Sequence, residues 1–231
     1  MGDNRRQPRP EDRAPAPAAE LRGEVIAGSP AVFVTLVSVL VGLVLTDLVT
    51  EARARMHLWP LDAQSVRTWC ELLSTGTATV SVWVVLANLA LARRRLPHVA
   101  ETTSAFVPPL LLLTAGTFVG RPEPWPWLYG AGVFLAVSAL AVLVNVRLTM
   151  DQAEGARFAR LMRPQGFLLL VWTGVPLYLG AGWLDQHGLL PPRIELAIIA
   201  LPIPLHFIIT GWFYNDWAAA LGDPQRRDDS P

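Results

Sequence analysis

The sequence predicts an all-α integral membrane protein, a bundle of six transmembrane helices with both termini in the cytoplasm. Three observations predict it. Six stretches, 25–46, 72–92, 102–120, 124–146, 164–184 and 196–215, hold no Asp, Glu, Lys or Arg. A bilayer core is about 30 Å thick, and a helix of about 20 apolar residues crosses it. Only 16% of the 231 residues are charged, against about 25% in an average soluble domain. The charges that remain fall in short knots between the apolar stretches, and their signs are asymmetric from one side to the other.

The first span is expected at about 29–50. Ahead of it, residues 1–22 carry Pro8, Pro10, Pro15 and Pro17 among charged residues, a composition that reads as a disordered cytoplasmic tail. The segment 1–28 does not read as a signal peptide, because its apolar run begins too late. Position 6 is Arg6, not the Ser or Thr of a myristoylation signal. Within the span, Thr35, Ser38, Gly42 and Thr46 fall on one helical face.

The segment between the first and second spans, 51–70, is long enough for a short helix lying on the outer surface. The second span, about 70–92, carries Ser74, Thr77, Ser81 and Asn88 on one face and ends at Arg93-Arg94-Arg95. The third, about 102–120, holds Pro108-Pro109 above Thr114 and Gly116. A stiff aromatic loop, 121–127, leads to the fourth, about 126–147, which spaces Ser138 and Asn145 seven apart. The inner loop after it sets Phe158, Leu161 and Met162 beside Arg157 and Arg160, the pattern of an amphipathic interfacial turn or two. The fifth span is expected at about 165–184 and the sixth at about 193–215. The membrane domain is thus 23–217, and 218–231 is a second cytoplasmic tail.

Arginine orients the bundle, since cytoplasmic loops are enriched in positive charge. All 19 basic residues are Arg, which suggests GC-rich coding and a bacterial inner membrane. With the N-terminus inside, fourteen fall on the cytoplasmic side and only Arg53, Arg55, Arg67, Arg121 and Arg193 on the other. Trp59, Trp69, Trp125, Trp127, Tyr129 and Trp183 mark the outer interface, and Trp212, Tyr214 and Trp217 the inner one.

Ionisable groups inside spans are costly and mark function by default. Here there is one, His206, in Leu201-Pro-Ile-Pro-Leu-His206. Pro202 and Pro204 remove two backbone donors, so the helix should break there and leave carbonyls in need of partners. Pro108 and Pro109 predict a similar break in the third span. Broken helices near the midplane are a recurring way to build a transport site. The substrate-path candidates are therefore His206, Pro202, Pro204, Pro108, Pro109, Asn88, Ser81 and Asn145. The bland alternative is a neutral histidine and polar stripes that serve as packing seams. The paired prolines of spans three and six, and the echo of Leu45-Thr-Asp…Arg53-Ala-Arg55 in Leu148-Thr…Arg157-Phe-Ala-Arg160, fit an inverted 3+3 repeat. Chance similarity of low-complexity sequence fits them as well.

Carboxylates sit at span ends. Asp47, Glu51 and Glu71 form a candidate outer mouth with Arg53, Arg55 and Arg67. No metal-ligand motif, phosphate loop, selectivity filter or arginine ladder is present. No catalytic residue, metal or cofactor is expected. The single cysteine, Cys70, can form no disulfide within the chain. A net charge of zero argues against nucleic acid as a partner. The expected partners are the lipid bilayer and a homo-oligomer or larger membrane complex. The function that fits best is a small-solute or ion permease or channel. Two alternatives are a non-catalytic accessory or scaffold subunit, and an enzyme acting on a lipid or isoprenoid through Asp47, Glu51 and Glu71.

Overall fold

The computed structural model describes residues 18–55, 62–93, 99–161, 164–208 and 211. Among them the chain is helical with no strand: α1 Ala18–Arg55, α2 Ala63–Ala92, α3 Val99–Gly116, α4 Trp125–Val144, α5 Gln152–Leu161, α6 Pro164–Gln186 and α7 Pro192–Ala200. A one-turn π-helix, Asn145–Thr149, continues α4, and helix resumes over 202–208 after a turn at Leu201. Three stretches are long and apolar enough to cross a membrane: Gly28–Ala54, Ala63–Ala92 and Trp125–Arg147. Large apolar side chains face outward on α1, α4 and α6, including Val39, Leu140, Leu169 and Trp172. Lipid accepts such a surface and water does not.

Several boundaries differ from the sequence expectation. Helix α1 starts at Ala18, inside the expected tail, and runs 38 residues. It takes up the start of the outer segment, and α2 takes up its end from Ala63. The expected surface helix is thereby replaced, with 56–61 outside the described residues. So are residues 1–17, the tail 218–231, and the end of the sixth span with Trp212, Tyr214 and Trp217. The amphipathic inner loop forms α5. Asp151 and Glu154 cap it reciprocally: the Glu154 amide donates to Asp151 Oδ1 (2.7 Å) and the Asp151 amide to Glu154 Oε2 (3.4 Å). Phe158 of α5 is fully buried.

Helix α2 is the axis of the bundle, packing on α1, α3, α5 and α7, while α4 lies between α3 and α6. Asp62 caps α2 by accepting the Ser65 amide at 2.7 Å, and this bond holds its carboxyl below the usual carboxylate range. The face of α1 that packs inward is apolar: Phe33, Val37, Val41, Val44 and Leu48 recur every three or four residues. The polar stripe Thr35, Ser38, Gly42 and Thr46 faces out instead. The reason is local. Each hydroxyl donates to the carbonyl four residues back, at 2.7–2.8 Å, and is satisfied without a neighbouring helix. Ser38 also accepts the Trp83 indole N–H at 2.9 Å.

Helices α4 and α6 interlock through glycines. A Cβ on Gly132 would lie 2.7 Å from Leu179 Cδ2, 2.9 Å from its Cγ and 3.3 Å from its amide nitrogen. A Cβ on Gly174 would meet only Leu135 Cδ1, at 2.8 Å. The tip of Leu135 can rotate away, whereas the root of Leu179 cannot. Gly132→Ala is therefore expected to destabilise the bundle by about 1–3 kcal/mol, and Gly174→Ala by clearly less. Unfolding titrations of the two variants in detergent check the order; equal losses would show that backbone approach at Gly132 is not what limits the contact.

Candidate functional site

The prolines of the sixth span act differently from those of the third. Helix α3 stays continuous through Pro108 and Pro109, so the expected break there does not occur. After α7 the ladder is interrupted. Pro202 has no N–H to give the carbonyl of Ile198, and the Tyr178 hydroxyl of α6 donates to that oxygen at 3.2 Å. The next carbonyl, Ile199, accepts Ser74 Oγ–H of α2 at 2.6 Å. The broken helix is thus stitched to α6 through the carbonyl that Pro202 leaves open, and to α2 through the neighbouring carbonyl of Ile199.

Two cavities line this region. One, of about 80 Å³, is bounded by α2, α3, α4, α6 and the 201–206 segment, with Ser74, Thr75, Trp127, Tyr178 and Pro202 on its wall. The other, of about 50 Å³, is lined by Ser81, Leu89, Ser104, Pro108, Ser138 and Asn145, among others. Ala78, Phe134, Leu135, Leu170 and His206 border both. Five of the eight path candidates therefore converge: His206, Pro202, Pro108, Ser81 and Asn145. Asn88 is buried but lines neither cavity, Pro109 is buried away from both, and Pro204 is exposed.

Along α2, charged groups lie beyond both ends of the cavity pair, Arg67 and Glu71 before Ser74 and Arg93 after Leu89. At one end Arg67 sits among α2, the α3–α4 loop and α7. Its Nε lies 3.6 Å from Glu71 Oε1 and its Nη1 3.4 Å from Glu195 Oε1. Its Nη2 donates to the carbonyls of Arg121 and Pro122, the latter at 3.0 Å. Glu71 is fully buried and accepts the Gly120 amide at 2.6 Å. Gly120 has φ +67°, a left-handed conformation that glycine adopts without strain. That conformation ends the turn after α3 and brings its N–H to Glu71. Gln64 donates to the Gly120 and Arg121 carbonyls at 3.4 and 3.3 Å. Asp185, half-buried at the end of α6, completes the layer near Arg67 and the Trp125 amide.

At the other end Arg93 is buried and lies 3.8 Å from Glu101. Its guanidinium donates to Asn145 Oδ1. Asn145 Nδ2 donates to Ser104 Oγ at 2.9 Å and to the Ala141 carbonyl at 2.7 Å. The π turn begins at this asparagine, where the Met150 amide reaches back to the Asn145 carbonyl at 3.1 Å. Single π turns inside α-helices frequently mark functional positions.

The outer-mouth candidates separate. Glu71 is absorbed into the Arg67 layer, while Asp47 and Glu51 are half-buried on α1, with Asp47 beside Gly116 of α3. Sequence reasoning missed Glu195, Asp185, Glu154 and the depth of Arg93 and Glu101. The Arg67–Glu71 pair has the i,i+4 spacing of a helical ion pair and could have been found. Glu195 could not, because it lies 128 residues from Arg67. No group of His, Cys, Asp and Glu suited to a metal is found among the described residues. No protein-family model, curated protein or solved structure matches the chain.

Proposed function

We propose that the chain is a six-span permease of a bacterial inner membrane that carries a small uncharged solute. The observation that carries this reading is the pair of cavities sharing His206 between two charged layers. Along α2 they run from Ser74 to Leu89, about 22 Å at 1.5 Å per residue. That is most of a bilayer core. The walls are almost entirely apolar, and most of their few polar groups are bonded to protein. An ion stripped of water there would find too few ligands to offset its desolvation, so the ion-channel form of the expectation gives way to an uncharged solute. In this reading the Arg67 and Arg93 ion-pair layers, which lie beyond the two ends, serve as gates.

The charge-free windows support six spans, three of which are long and apolar enough to cross a membrane by length and composition. The arginine count supports cytoplasmic termini. The lipid-enzyme alternative loses support, because Glu71 is held by Arg67 and the Gly120 amide.

The test is stopped-flow light scattering on proteoliposomes with small neutral solutes, propionamide, glycerol and urea among them. Entry of at least one is expected about tenfold or more faster than into protein-free vesicles, with no sodium flux. Rates equal to protein-free vesicles for every solute would remove the permease reading and leave the accessory-subunit one.

A further inference from the structure

Among the described residues, the buried hydroxyls follow a rule with one exception. Thr75, Thr79 and Ser81 of α2 each donate to the carbonyl four residues back, and so does Thr173 of α6. Ser74 donates to Ile199 and Ser104 to the Glu101 carbonyl. Ser138 does not. Its side chain lines the smaller cavity, is 7% exposed, and its Oγ has no hydrogen-bond partner. A buried hydroxyl without a partner costs free energy comparable to a lost hydrogen bond.

His206 adds the second polar group. Its Nδ1 lies 2.7 Å from the Pro202 carbonyl. A carbonyl only accepts, so Nδ1 carries the proton, and in the neutral ring Nε2 is a bare acceptor. His206 borders both cavities. The other polar side chains of the smaller cavity are committed: Ser81 to Thr77, Ser104 to Glu101 and Asn145, and Asn145 to Arg93, Ser104 and Ala141. One hydroxyl that can donate and one ring nitrogen that can accept are thus left over in an apolar cleft.

The geometry points to a binding site, in the smaller cavity between Ser138 and His206, for a small neutral molecule with one donor–acceptor head on a short apolar body: a short-chain amide or alcohol. Resting on the permease reading, this names its solute class. The head would accept from Ser138 Oγ–H and donate to His206 Nε2, and the apolar body would fill the space toward Phe134, Leu135 and Leu170. The volume agrees in scale. A cavity of about 150 Å³ holds benzene, and these of about 50 and 80 Å³ suit a molecule of a few heavy atoms. Such sites obtain selectivity less from gross affinity than from penalising a ligand that leaves a buried polar group unpaired.

The experiment is saturation-transfer NMR on the full chain in nanodiscs, against empty nanodiscs, with propionamide and methyl acetate as probes. The two have the same number of heavy atoms, and only the amide has a donor. Propionamide is expected to bind about tenfold tighter. Ser138→Ala should weaken both probes several-fold, since each offers a carbonyl to accept from Ser138 Oγ–H, while raising the unfolding midpoint, since it removes an unsatisfied buried hydroxyl. His206→Asn should erase the preference, since it removes the acceptor for the amide N–H, while its own amide keeps a donor for the Pro202 carbonyl. Equal binding of the two probes by the wild type, a preference that survives His206→Asn, or unchanged affinity for both probes in Ser138→Ala, would overturn the inference. Binding with the preference intact but no flux sinks the permease reading and spares this site. Flux without the preference does the reverse.

Discussion

Replacing Arg67 with leucine is expected to cost the bundle about 3–5 kcal/mol, the loss associated with breaking a buried pair from one side. Arg67 contacts two carboxylates and two loop carbonyls at once. Its removal takes the Arg67 guanidinium away from Glu71, which is fully buried and accepts the Gly120 amide. It also frees Glu195 at the start of α7 and takes away the donor shared by Arg121 and Pro122. An isolated surface pair would be worth about 0–1 kcal/mol, so the size of the loss separates a structural layer from an ornamental one. The double variant Arg67→Leu/Glu71→Leu should lose less than the sum of the two single variants, because it strands no charge at position 71. Reversible unfolding titrations in detergent measure all three. A loss below about 1 kcal/mol for Arg67→Leu would mean that the layer does not hold this end of the bundle together.

The second large effect is expected at Ala78. This residue is buried, and it borders both cavities where they meet at His206. A larger side chain there projects into empty space, so it fills rather than crowds. Filling a cavity commonly leaves stability equal or improved. Ala78→Leu should therefore separate folding from transport: stability unchanged or slightly raised, solute entry lowered about tenfold or more. The opposite pairing, lost stability with unchanged entry, would show that the cavities are ordinary packing defects.

The all-helical class and three helices long and apolar enough to cross a membrane were readable because they follow from composition. A run of twenty residues without charge has few alternatives to a spanning helix, and a proline inside such a run must open the carbonyl four residues back. Ile198 and its partner Tyr178 realise that expectation. What could not be read is which face of a helix meets its neighbours. The α1 stripe of Thr35, Ser38 and Thr46 looked like a seam, yet back-bonding to the helix's own carbonyls satisfies those hydroxyls and lets the apolar Phe33–Leu48 face pack instead. The same ambiguity hid Ser138. In sequence it resembles every other intramembrane serine, and only the hydrogen-bond accounting of its neighbours sets it apart. The long-range partners of Arg67 and Arg93 were out of reach for a different reason. Glu195 and Asn145 come from distant segments, and pairing across 128 and 52 residues depends on helix packing rather than local pattern.

The central claim is that the cavities around His206 are the route of a small neutral solute. The most direct measurement is stopped-flow entry of propionamide into proteoliposomes bearing wild-type protein or Ala78→Leu, reconstituted at equal density. The claim predicts entry well above protein-free vesicles for the wild type and a fall of about tenfold or more on plugging the junction. Equal entry through both proteins would contradict it.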